Sequence, residues 1–424
     1  MSPPKVAIIG AGPAGTTLAR LLIRASIPVT IFEGESSMSV RAQGGSLDLH
    51  TNTGLKALRE AGLFEEYTQY ARYDGEAINL ADKNLVSLLK LGGATEASSR
   101  GRPEIDRARL RQILVNSLPE GTIRWNCRLR SVDVKDLSLH FDHGVETEFD
   151  LLVGADGAWS KVRPVLTNVK PYFVGLGGYD LFIHNAEKNH PDLYELVNRG
   201  SLMTYSDGKG LSAQQRGDGT IIVYASGRRD EDWKETCGYD LHDASAVKKA
   251  IKEELRDWAE PLVKFTQVAD EKDFTARSLY VLPPGHRWKH RAKVTLIGDA
   301  AHLTTPHAGE GVNVAMEDAL NLANAIIRSA ETGDTVHALD KEVSAFEDEM
   351  MTRATKVQNH SLANTKDMYF TPGSPHTTID KWLRRAIAQQ LGGAVEIVLP
   401  LWVVGTIRRG FSWWSRADKK TRKG

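Results

Sequence analysis

The sequence predicts a mixed α/β fold in which an antiparallel sheet is inserted into a domain built on a parallel sheet. Three observations support this prediction: a strand, helix and strand pattern at the N-terminus, two later apolar runs that end in Gly and Asp, and a central stretch with the alternation of antiparallel hairpins. Strong helical periodicity returns over residues 311–360. At 424 residues, the chain is long enough for at least two structural units.

The N-terminal strand, helix and strand are predicted over residues 5–9 (KVAII), 14–25 and 28–33 (PVTIFE). Residues 151–156 (LLVGAD) and 292–300 (AKVTLIGDA) are apolar runs that end in Gly and Asp. In a doubly wound sheet, such strands lead into ligand-facing turns at one edge. We therefore expect three strand ends to converge on one site.

The central stretch has the turn chemistry of hairpins, with Ser206-Asp207-Gly208 and Gly217-Asp218-Gly219 between alternating segments such as TIIVYASG. The predicted organisation is a discontinuous nucleotide-binding domain (1–170 and 281–360), an inserted antiparallel-sheet domain that binds the substrate (171–280), and a C-terminal helical region with a basic tail (361–424).

Composition narrows the classes of partner. The chain is 41% hydrophobic and 25% charged, and its formal net charge is zero, so electrostatics gives no reason to expect a nucleic-acid partner. A small-molecule site is favoured. Cys127 and Cys237 lack the paired spacing of a zinc or redox site, and no metal is expected. The N-terminal residues lack the pattern of a secretory signal, which predicts a cytoplasmic protein.

One segment near the C-terminus is apolar enough to raise the question of a membrane. Residues 391–407 carry Glu396, are interrupted by Pro400, and fall short of the roughly 20 apolar residues that a span needs. A terminal helix packed on the protein body is favoured. Attachment to a membrane surface through Trp413, Trp414 and their basic neighbours remains the alternative.

The first strand leads into Gly10-Ala11-Gly12-Pro13-Ala14-Gly15, the dinucleotide-binding fingerprint of a Rossmann-type domain. Gly10 permits a tight turn, Gly12 lets the backbone approach a pyrophosphate, and Gly15 lets the helix pack closely on the strand. Amides at the start of the helix, around Ala14, would then face the anion. Glu33 ends the second strand, where a carboxylate accepts hydrogen bonds from ribose hydroxyls and repels a 2′-phosphate, so FAD or NAD is favoured over NADP.

Four longer segments add to the glycine-rich motif: GGSLDLH (44–50), PEIDRARLRQILVNSL (103–118), GADGAWSKVRP (154–164) and IGDAAHLTTPHAGEGVN (297–313). Together these motifs resemble group A flavoprotein monooxygenases, and within them the branch of tetracycline-inactivating enzymes. The resemblance extends over about residues 5–360. It implies bound FAD, NADPH or NADH as co-substrate, and hydroxylation of an electron-rich phenolic, enolic or polyketide-like substrate by O2 through a flavin C4a-hydroperoxide.

The resemblance also implies roles for single residues. Asp299 would hold the ribityl chain of FAD, Arg41 would lie by the flavin and the nicotinamide path, and Asp48 and Arg107 would contact FAD. For Arg41 and Arg107, a solvated surface arginine remains the alternative. The remaining implied cofactor contacts are Asp156 and the start of the helix at Gly311, Val312 and Asn313, whose positive end would stabilise the negative charge of the reduced flavin.

Some positions depart from the family pattern. Trp159 replaces an arginine found in many relatives, and Thr305-Pro306 replaces a pair of prolines, so the resemblance does not by itself predict the same nicotinamide handling. By approximate alignment, Asp180 and Ser201 occupy the places of substrate-contacting residues, although a turn role for Asp180 remains open. Because the flavin carries the chemistry, no protein nucleophile is required, and the one catalytic candidate is His307, which would steer the substrate or the peroxide.

Other functions remain open at this point. The same scaffold supports Baeyer-Villiger oxidation, epoxidation or dehydrogenation, which incorporation of labelled oxygen distinguishes. A non-oxygenating FAD-binding partner would bind flavin without substrate-stimulated oxidation of the nicotinamide. A membrane-attached scaffold would leave the three nucleotide-type strand ends unexplained.

Overall fold

The computed structural model describes residues 3–38, 44–332, 335–391 and 404–406. The chain forms two compact units, each assembled from separate pieces of sequence. The first unit comprises Met1–Ala71, Gly101–Val174 and Tyr280–Ser361, and the second comprises Arg72–Arg100, Gly175–Leu279 and Leu362–Gly424.

The chain contains both strands and helices, interspersed along its length, which confirms the predicted mixed α/β class. The strands are β1 (Val6–Ile9), β2 (Val29–Phe32), β3 (Ser46–Asp48), β4 (Ile78–Ala81), β5 (Ser87–Leu91), β6 (Glu104–Asp106), β7 (Ile123–Arg124), β8 (Leu129–Val132), β9 (Leu139–Phe141), β10 (Gly144–Glu146), β11 (Leu151–Gly154), β12 (Tyr172–Ile183), β13 (Ser201–Ser206), β14 (Lys209–Gln215), β15 (Ile221–Arg228), β16 (Phe274–Val281) and β17 (Val294–Leu296). The helices are α1 (Pro13–Arg24), α2 (Gly54–Glu60), α3 (Phe64–Thr68), α4 (Arg107–Asn116), α5 (Ala186–Asn189), α6 (Pro191–Val197), α7 (Trp233–Thr236), α8 (Ala244–Glu254), α9 (Glu260–Gln267), α10 (Asp299–His302), α11 (Gly311–Glu331), α12 (Thr335–Thr365) and α13 (Ile379–Leu391).

The first unit is organised around a five-stranded parallel sheet in the order β17-β11-β1-β2-β7. Every residue of β1, β11 and β17 is buried, as expected for parallel strands that are covered on both faces. Ile9 lies opposite Gly154, and Gly154 lies opposite Leu296. Because neighbouring strands lie about 4.8 Å apart, the carboxyl ends of the three predicted strands are adjacent at one edge of the sheet.

Smaller elements complete the first unit. Strands β3 and β6 form an antiparallel pair, and β8, β9 and β10 form a three-stranded antiparallel sheet. The pairing of β3 with β6 places Asp48, the last residue of β3, opposite Glu104. The β3 segment is therefore held by backbone bonds as it approaches the start of α11, which is described below.

The second unit contains a seven-stranded sheet in the order β16-β12-β15-β14-β13-β4-β5. The hairpin between β13 and β14 turns at Asp207 and Gly208, whose φ angles of 55° and 76° are those of a type I′ turn, as the Asp-Gly pair predicts. Helices α5 to α9 also lie within residues 171–280, where the sequence predicts a sheet alone.

Two segments of the second unit differ from the predicted organisation. Residues 72–100 were predicted to belong to the nucleotide-binding domain, whereas β4 pairs with β13 and extends the seven-stranded sheet. Residues 362–391, predicted to form a separate C-terminal region, group with the same unit. Here Leu80 and Leu89 of the sheet pack against Ile379 and Trp382 of α13, an apolar contact that local sequence patterns do not reveal.

Among the described residues, the helices are too short or too polar to cross a membrane. Most of the apolar segment 391–407 lies outside the described residues, and so does the tail with Trp413 and Trp414.

Candidate active site

The loops that follow β1 and β11 meet at a glycine. Gly10 has a φ of +105°, and a Cβ added there would lie 2.5 Å from the carbonyl oxygen of Ala155. The Ala155 amide donates a hydrogen bond of 2.8 Å to the Ile9 carbonyl. A side chain at Gly10 would therefore force the two loops apart, and glycine permits their close approach.

The start of α1 combines one tightly packed glycine with one open glycine. A Cβ on Gly15 would lie 2.1 Å from the Gly10 carbonyl oxygen, so only glycine lets the helix approach the loop this closely. Gly12 is the N-cap residue, makes no side-chain capping bond, and has open space where its Cβ would project. Open space before uncapped helix amides suits an anionic group.

Glu33, at the end of β2, holds the glycine-rich loop. Its side chain is buried, with Oε2 accepting a 2.7 Å hydrogen bond from the Ala11 amide and Oε1 accepting a 3.0 Å bond from the Glu35 amide. Arg111 of α4 donates to Glu35 Oε2 at 2.7 Å and thereby fixes the turn after β2. The carboxylate of Glu33 is thus placed beside the motif, and each oxygen retains capacity for a further bond.

The turn after β11 contains an unsatisfied acceptor. Asp156 Oδ2 accepts a 2.7 Å hydrogen bond from the Lys161 amide, whereas Oδ1 is buried and has no hydrogen-bond partner. Burial raises the pKa of Asp156, against the hydrogen bonds that favour its charged form. Gly157 has a φ of +76°, and the space where its Cβ would project is open. Native proteins seldom leave such an acceptor unpaired, so this atom points to a bound group.

Arg163 joins the turn after β11 to the turn after β17. Its side chain is buried and donates hydrogen bonds of 2.8 Å to the carbonyls of Ala158 and Ala300. One planar guanidinium thus bridges two strand ends that are remote in sequence. The sequence indicates Arg163 as part of its motif but does not reveal this bridging role.

The turn after β17 rests on a buried ionic network. Gly298 has a φ of +60°, and its amide donates to Asp318 Oδ2 of α11 at 2.9 Å. Asp318 is fully buried and also contacts His302 Nε2 at 2.5 Å and Arg353 Nη2 at 2.6 Å. Burial disfavours the charged form of His302, but the charge of Asp318 outweighs this and raises the pKa of His302. The network fixes the backbone that carries Asp299.

Asp299 and Arg107 lie within electrostatic reach of each other. The side chain of Asp299 reaches solvent, yet the surrounding protein desolvates it and raises its pKa, while Arg107 is among the charges that oppose the rise. Arg107 begins α4, and its amide donates to the Gly45 carbonyl at 3.1 Å. A solvent-accessible carboxylate in a desolvated setting indicates a cleft. Arg41 lies outside the described residues.

A second cluster joins the end of β3 to the start of α11. The Asn313 side chain is fully buried, donates to the Asp48 carbonyl at 2.8 Å, and accepts from the His50 amide at 2.8 Å. The His50 ring lies between two carboxylates, with Nε2 at 3.0 Å from Asp48 Oδ2 and Nδ1 at 3.2 Å from Glu310 Oε2. Asp48 and Asn313, both predicted to be site residues, are thus brought together, and Gly311 beside them has open space at its Cβ position.

His307 and Trp159 occupy contrasting environments. Burial lowers the pKa of His307 to about 4, so its imidazole is neutral near pH 7. Trp159 is 62% exposed and packs edge-on against Tyr280, with ring centroids 5.1 Å apart. The residue that replaces the arginine of many relatives is therefore an accessible aromatic surface.

The two predicted substrate residues lie on one face of the seven-stranded sheet in the second unit. Asp180 of β12 forms an ion pair with Arg277 of β16. Four directly opposed residues, one on each of β12, β15, β14 and β13, point to the same face of the sheet: Asp180, Tyr224, Ser212 and Met203. Ser201 lies two residues before Met203 in β13, so its side chain points to this face as well. Three strand spacings separate β12 from β13 by about 14 Å.

Several residues of this site were missed from the sequence. Asp318 could have been identified as a buried, paired carboxylate, because it lies within the apolar helical run VAMEDALNLANAII. His50 could also have been identified, since it follows Asp48 by two residues in an extended segment and therefore shares its side of the strand. The partner of His50, Glu310, comes from 260 positions later in the chain, and no local pattern indicates that pairing.

The residues present fit a bound FAD. The buried Oδ1 of Asp156 lacks a partner, and open space lies before the backbone of Gly12, Gly157 and Gly311. These features surround adjacent strand ends, the edge at which parallel α/β sheets bind nucleotides.

Comparison with known proteins agrees with this assignment. The family model described as "FAD binding domain" matches residues 4–358. The monooxygenase penA of Penicillium thymicola is 30% identical over 87% of this chain and 96% of its own length. The monooxygenase asqM of Emericella nidulans is 30% identical over 82% of this chain and 92% of its own length.

Among solved structures, the tetracycline destructase Tet(51) matches with a TM-score of 0.65 at 18% identity, over 94% of this chain and 97% of that one. This likeness shows a shared fold. The family match includes all three strand ends, and the two curated relatives each match more than four fifths of this chain. The chain therefore belongs to the FAD-binding-domain family, and it is a flavin-dependent monooxygenase.

Proposed function

We propose that this monooxygenase uses NADPH or NADH and molecular oxygen to hydroxylate a small electron-rich substrate of phenolic, enolic or polyketide-like type. The observation that carries the proposal is the register that sets Ile9, Gly154 and Leu296 side by side. Each of these strand ends leads within three residues into a glycine or aspartate motif. Similarity to two monooxygenases over nearly their full lengths supports oxygen insertion as the reaction.

FAD, when bound, accepts a hydride and activates oxygen, so the task of the chain is to hold it and to keep water away. We propose that Glu33 accepts hydrogen bonds from the ribose of the adenosine, and that the start of α1 receives the pyrophosphate. The full proposed set of cofactor contacts is Gly10, Gly12, Ala14, Gly15, Glu33, Arg41, Asp48, Arg107, Asp156, Asp299, Gly311, Val312 and Asn313.

The remaining contacts would orient the flavin end of the cofactor. Asp299 would accept hydrogen bonds from the ribityl chain, and such donors would offset the desolvation that raises its pKa. The start of α11 would direct its positive end at the flavin pyrimidine. Asp156 Oδ1 would take the hydrogen bond that it lacks within the protein.

We propose that the substrate contacts the face of the seven-stranded sheet that carries Asp180 and Ser201. That face also bears Tyr224 and Ser212, whose hydroxyl groups suit a polar substrate. Arg277 balances the charge of Asp180, so the face is suited to a substrate that carries hydroxyl or carbonyl groups. Sites of this kind hold a small organic ligand by a few placed polar groups.

His307 is proposed to steer the substrate as a neutral imidazole, because burial lowers its pKa to about 4. A neutral ring donates one hydrogen bond and accepts another. Replacement His307→Ala should then reduce the coupling of nicotinamide oxidation to product formation while FAD remains bound. Unchanged turnover and unchanged coupling would remove His307 from the mechanism.

The test of the function starts from the purified full-length chain. We expect a yellow protein that binds FAD in a one-to-one ratio, oxidises NADPH or NADH faster in the presence of a phenolic or enolic substrate, and transfers one atom of oxygen-18 from labelled O2 to the product. A colourless protein that does not bind added FAD would refute the proposal.

The same experiment separates the rival reactions. An oxygen inserted into a carbon-carbon bond indicates Baeyer-Villiger oxidation, an oxirane indicates epoxidation, and product without label indicates dehydrogenation. Bound FAD without substrate-stimulated oxidation of the nicotinamide, across the substrate panel, would identify a non-oxygenating flavin-binding protein.

A cytoplasmic location is also proposed. Cys127 and Cys237 are both free thiols, which is usual in a reducing compartment. Fractionation of cells that produce the full chain tests this, and recovery in the membrane fraction would instead support the surface-attachment alternative.

A further inference from the structure

An imidazole and two carboxylates meet at the junction of β3 and α11. His50 lies 3.0 Å from Asp48 and 3.2 Å from Glu310, through its two different ring nitrogens. The side chains of His50 and Glu310 are only 12% and 11% exposed. Neither the proposed binding of FAD nor the proposed hydroxylation requires His50 or Glu310.

The geometry favours a charged ring. Both neighbours of His50 are acceptors when ionised, and a ring with hydrogen on both nitrogens donates to each of them. Burial works against this form, but the bonds to Asp48 and Glu310 outweigh it and raise the pKa of His50 to about 9. The facing groups are these two carboxylates, and Arg102 adds a positive charge that acts on Asp48. The trio of Asp48, His50 and Glu310 therefore carries a net charge of about −1 near neutral pH.

The charged trio lies at the start of the long helix α11. Glu310 is the N-cap residue of α11, a helix that runs to Glu331 and has no side-chain capping bond. The start of a helix carries about half a positive charge, which a carboxylate at the same place offsets. Without the imidazolium, two ionised carboxylates would stand beside the start of α11.

We propose that His50 is a positioning residue whose positive charge offsets part of the negative charge of Asp48 and Glu310 at the start of α11 and thereby raises the reduction potential of bound FAD. The inference rests on the proposed placement of the flavin at the start of α11. Reduction adds negative charge to the flavin, so a positive neighbour favours the reduced form.

The experiment measures the midpoint potential of FAD in the wild-type holoenzyme, in His50→Gln, in Glu310→Gln and in the double variant. His50→Gln should weaken the binding of reduced FAD relative to oxidised FAD about tenfold, which lowers the two-electron potential by about 30 mV. Glu310→Gln should shift the potential upward, and the double variant should return toward the wild-type value. A merely structural role would not produce opposite signs.

The pH supplies a second readout. Because the pKa of His50 is about 9, the difference between wild type and His50→Gln should be constant from pH 6 to pH 8 and should shrink as the pH rises past 9. A difference that already disappears between pH 6 and pH 8 would contradict a charged imidazole.

His290 provides a matched control in the same unit. It also lies between two carboxylates, at 2.8 Å from Glu347 and 3.0 Å from Asp340, but it precedes β17 and so lies toward the opposite edge of the sheet from the motifs. His290→Gln should leave the potential unchanged.

Unchanged potentials in both His50→Gln and Glu310→Gln, or shifts of the same sign, would overturn the inference. If His50→Gln fails to retain FAD, the potential of Glu310→Gln becomes the test. An unchanged or lowered potential in Glu310→Gln then overturns the inference. A wild-type protein without FAD would instead refute the proposed function itself.

Discussion

The two units of this monooxygenase build their parts of the function in different ways. The first unit depends on close backbone contacts and fully buried charges, such as Gly15 against Gly10 and Asp318 beneath the turn after β17. The second unit presents a half-buried polar face on which Asp180 pairs with a largely exposed Arg277. Substitutions should therefore be costly in the first unit and should mainly alter ligand preference in the second.

Asp318→Ala should produce the largest effect. It leaves His302 without its buried counter-charge and removes the one fully buried carboxylate among the three that pair with Arg353. Breaking a buried pair in this way costs about 3–5 kcal/mol of the free energy of unfolding. Urea unfolding followed by circular dichroism measures the loss. The control is Asp180→Ala in the second unit, which should cost no more than about 1 kcal/mol because its partner is exposed. Equal losses in the two variants would contradict the comparison.

Gly15→Ala should come next. The new Cβ would lie 2.1 Å from the Gly10 carbonyl oxygen, and the backbone must shift to relieve the contact, at a cost of about 1–3 kcal/mol. Thermal unfolding of the apoprotein measures this. Gly12→Ala is the matched variant, because its Cβ meets open space: the apoprotein should be stable to within about 0.5 kcal/mol of wild type, while the affinity for FAD falls about tenfold. An unchanged FAD affinity in Gly12→Ala would argue against pyrophosphate binding at this loop.

Asp180→Asn tests the second unit directly. If Asp180 contacts the substrate, removal of its charge should raise the KM by about tenfold and leave the FAD affinity unchanged. Steady-state kinetics and a fluorescence titration with FAD measure the two quantities. A normal KM would assign Asp180 to the structure of the sheet alone.

His290→Gln should give the smallest effect, and one that depends on pH. Burial lowers the pKa of His290, but Asp340 and Glu347 outweigh it and raise the pKa above its usual value. The raised pKa means that the stabilisation is fully present below about pH 6.5 and is lost as the pH rises through the pKa of the folded protein. At pH 6 the free energy of unfolding of the wild type should exceed that of the variant by about 1 kcal/mol, and this difference should shrink in alkaline solution. Urea unfolding at pH 6 and pH 9 tests this, and a difference that grows with pH would contradict it.

The parallel sheet could be predicted because its information is local. The strands β1, β11 and β17 are short apolar runs, and each is followed within three residues by glycine or aspartate, so strand, turn and ligand edge are all contained in about ten residues. Motifs of the same short length also indicate Asp48, Asp156, Asp299 and Asn313 as candidate site residues.

The remaining features depend on pairing between distant segments. Residues 72–100 contain ordinary alternating strands, and only the pairing of β4 with β13 shows which sheet they join. Glu310 becomes a partner of His50, and Asp318 a partner of Gly298, only after the sheet has assembled. Periodicity identifies an element but carries no information about its long-range neighbour.

The order of strands in the parallel sheet also constrains how the protein matures. Strand β1 is the first of the five strands to be synthesised, but its neighbour β11 follows about 140 residues later, and β17 follows β11 after a similar interval. The N-terminal glycine-rich loop therefore leaves the ribosome long before the strands that complete its edge. FAD capture should accordingly be a late event in biosynthesis, so the yield of active protein depends on the cofactor that is available after β17 has been synthesised.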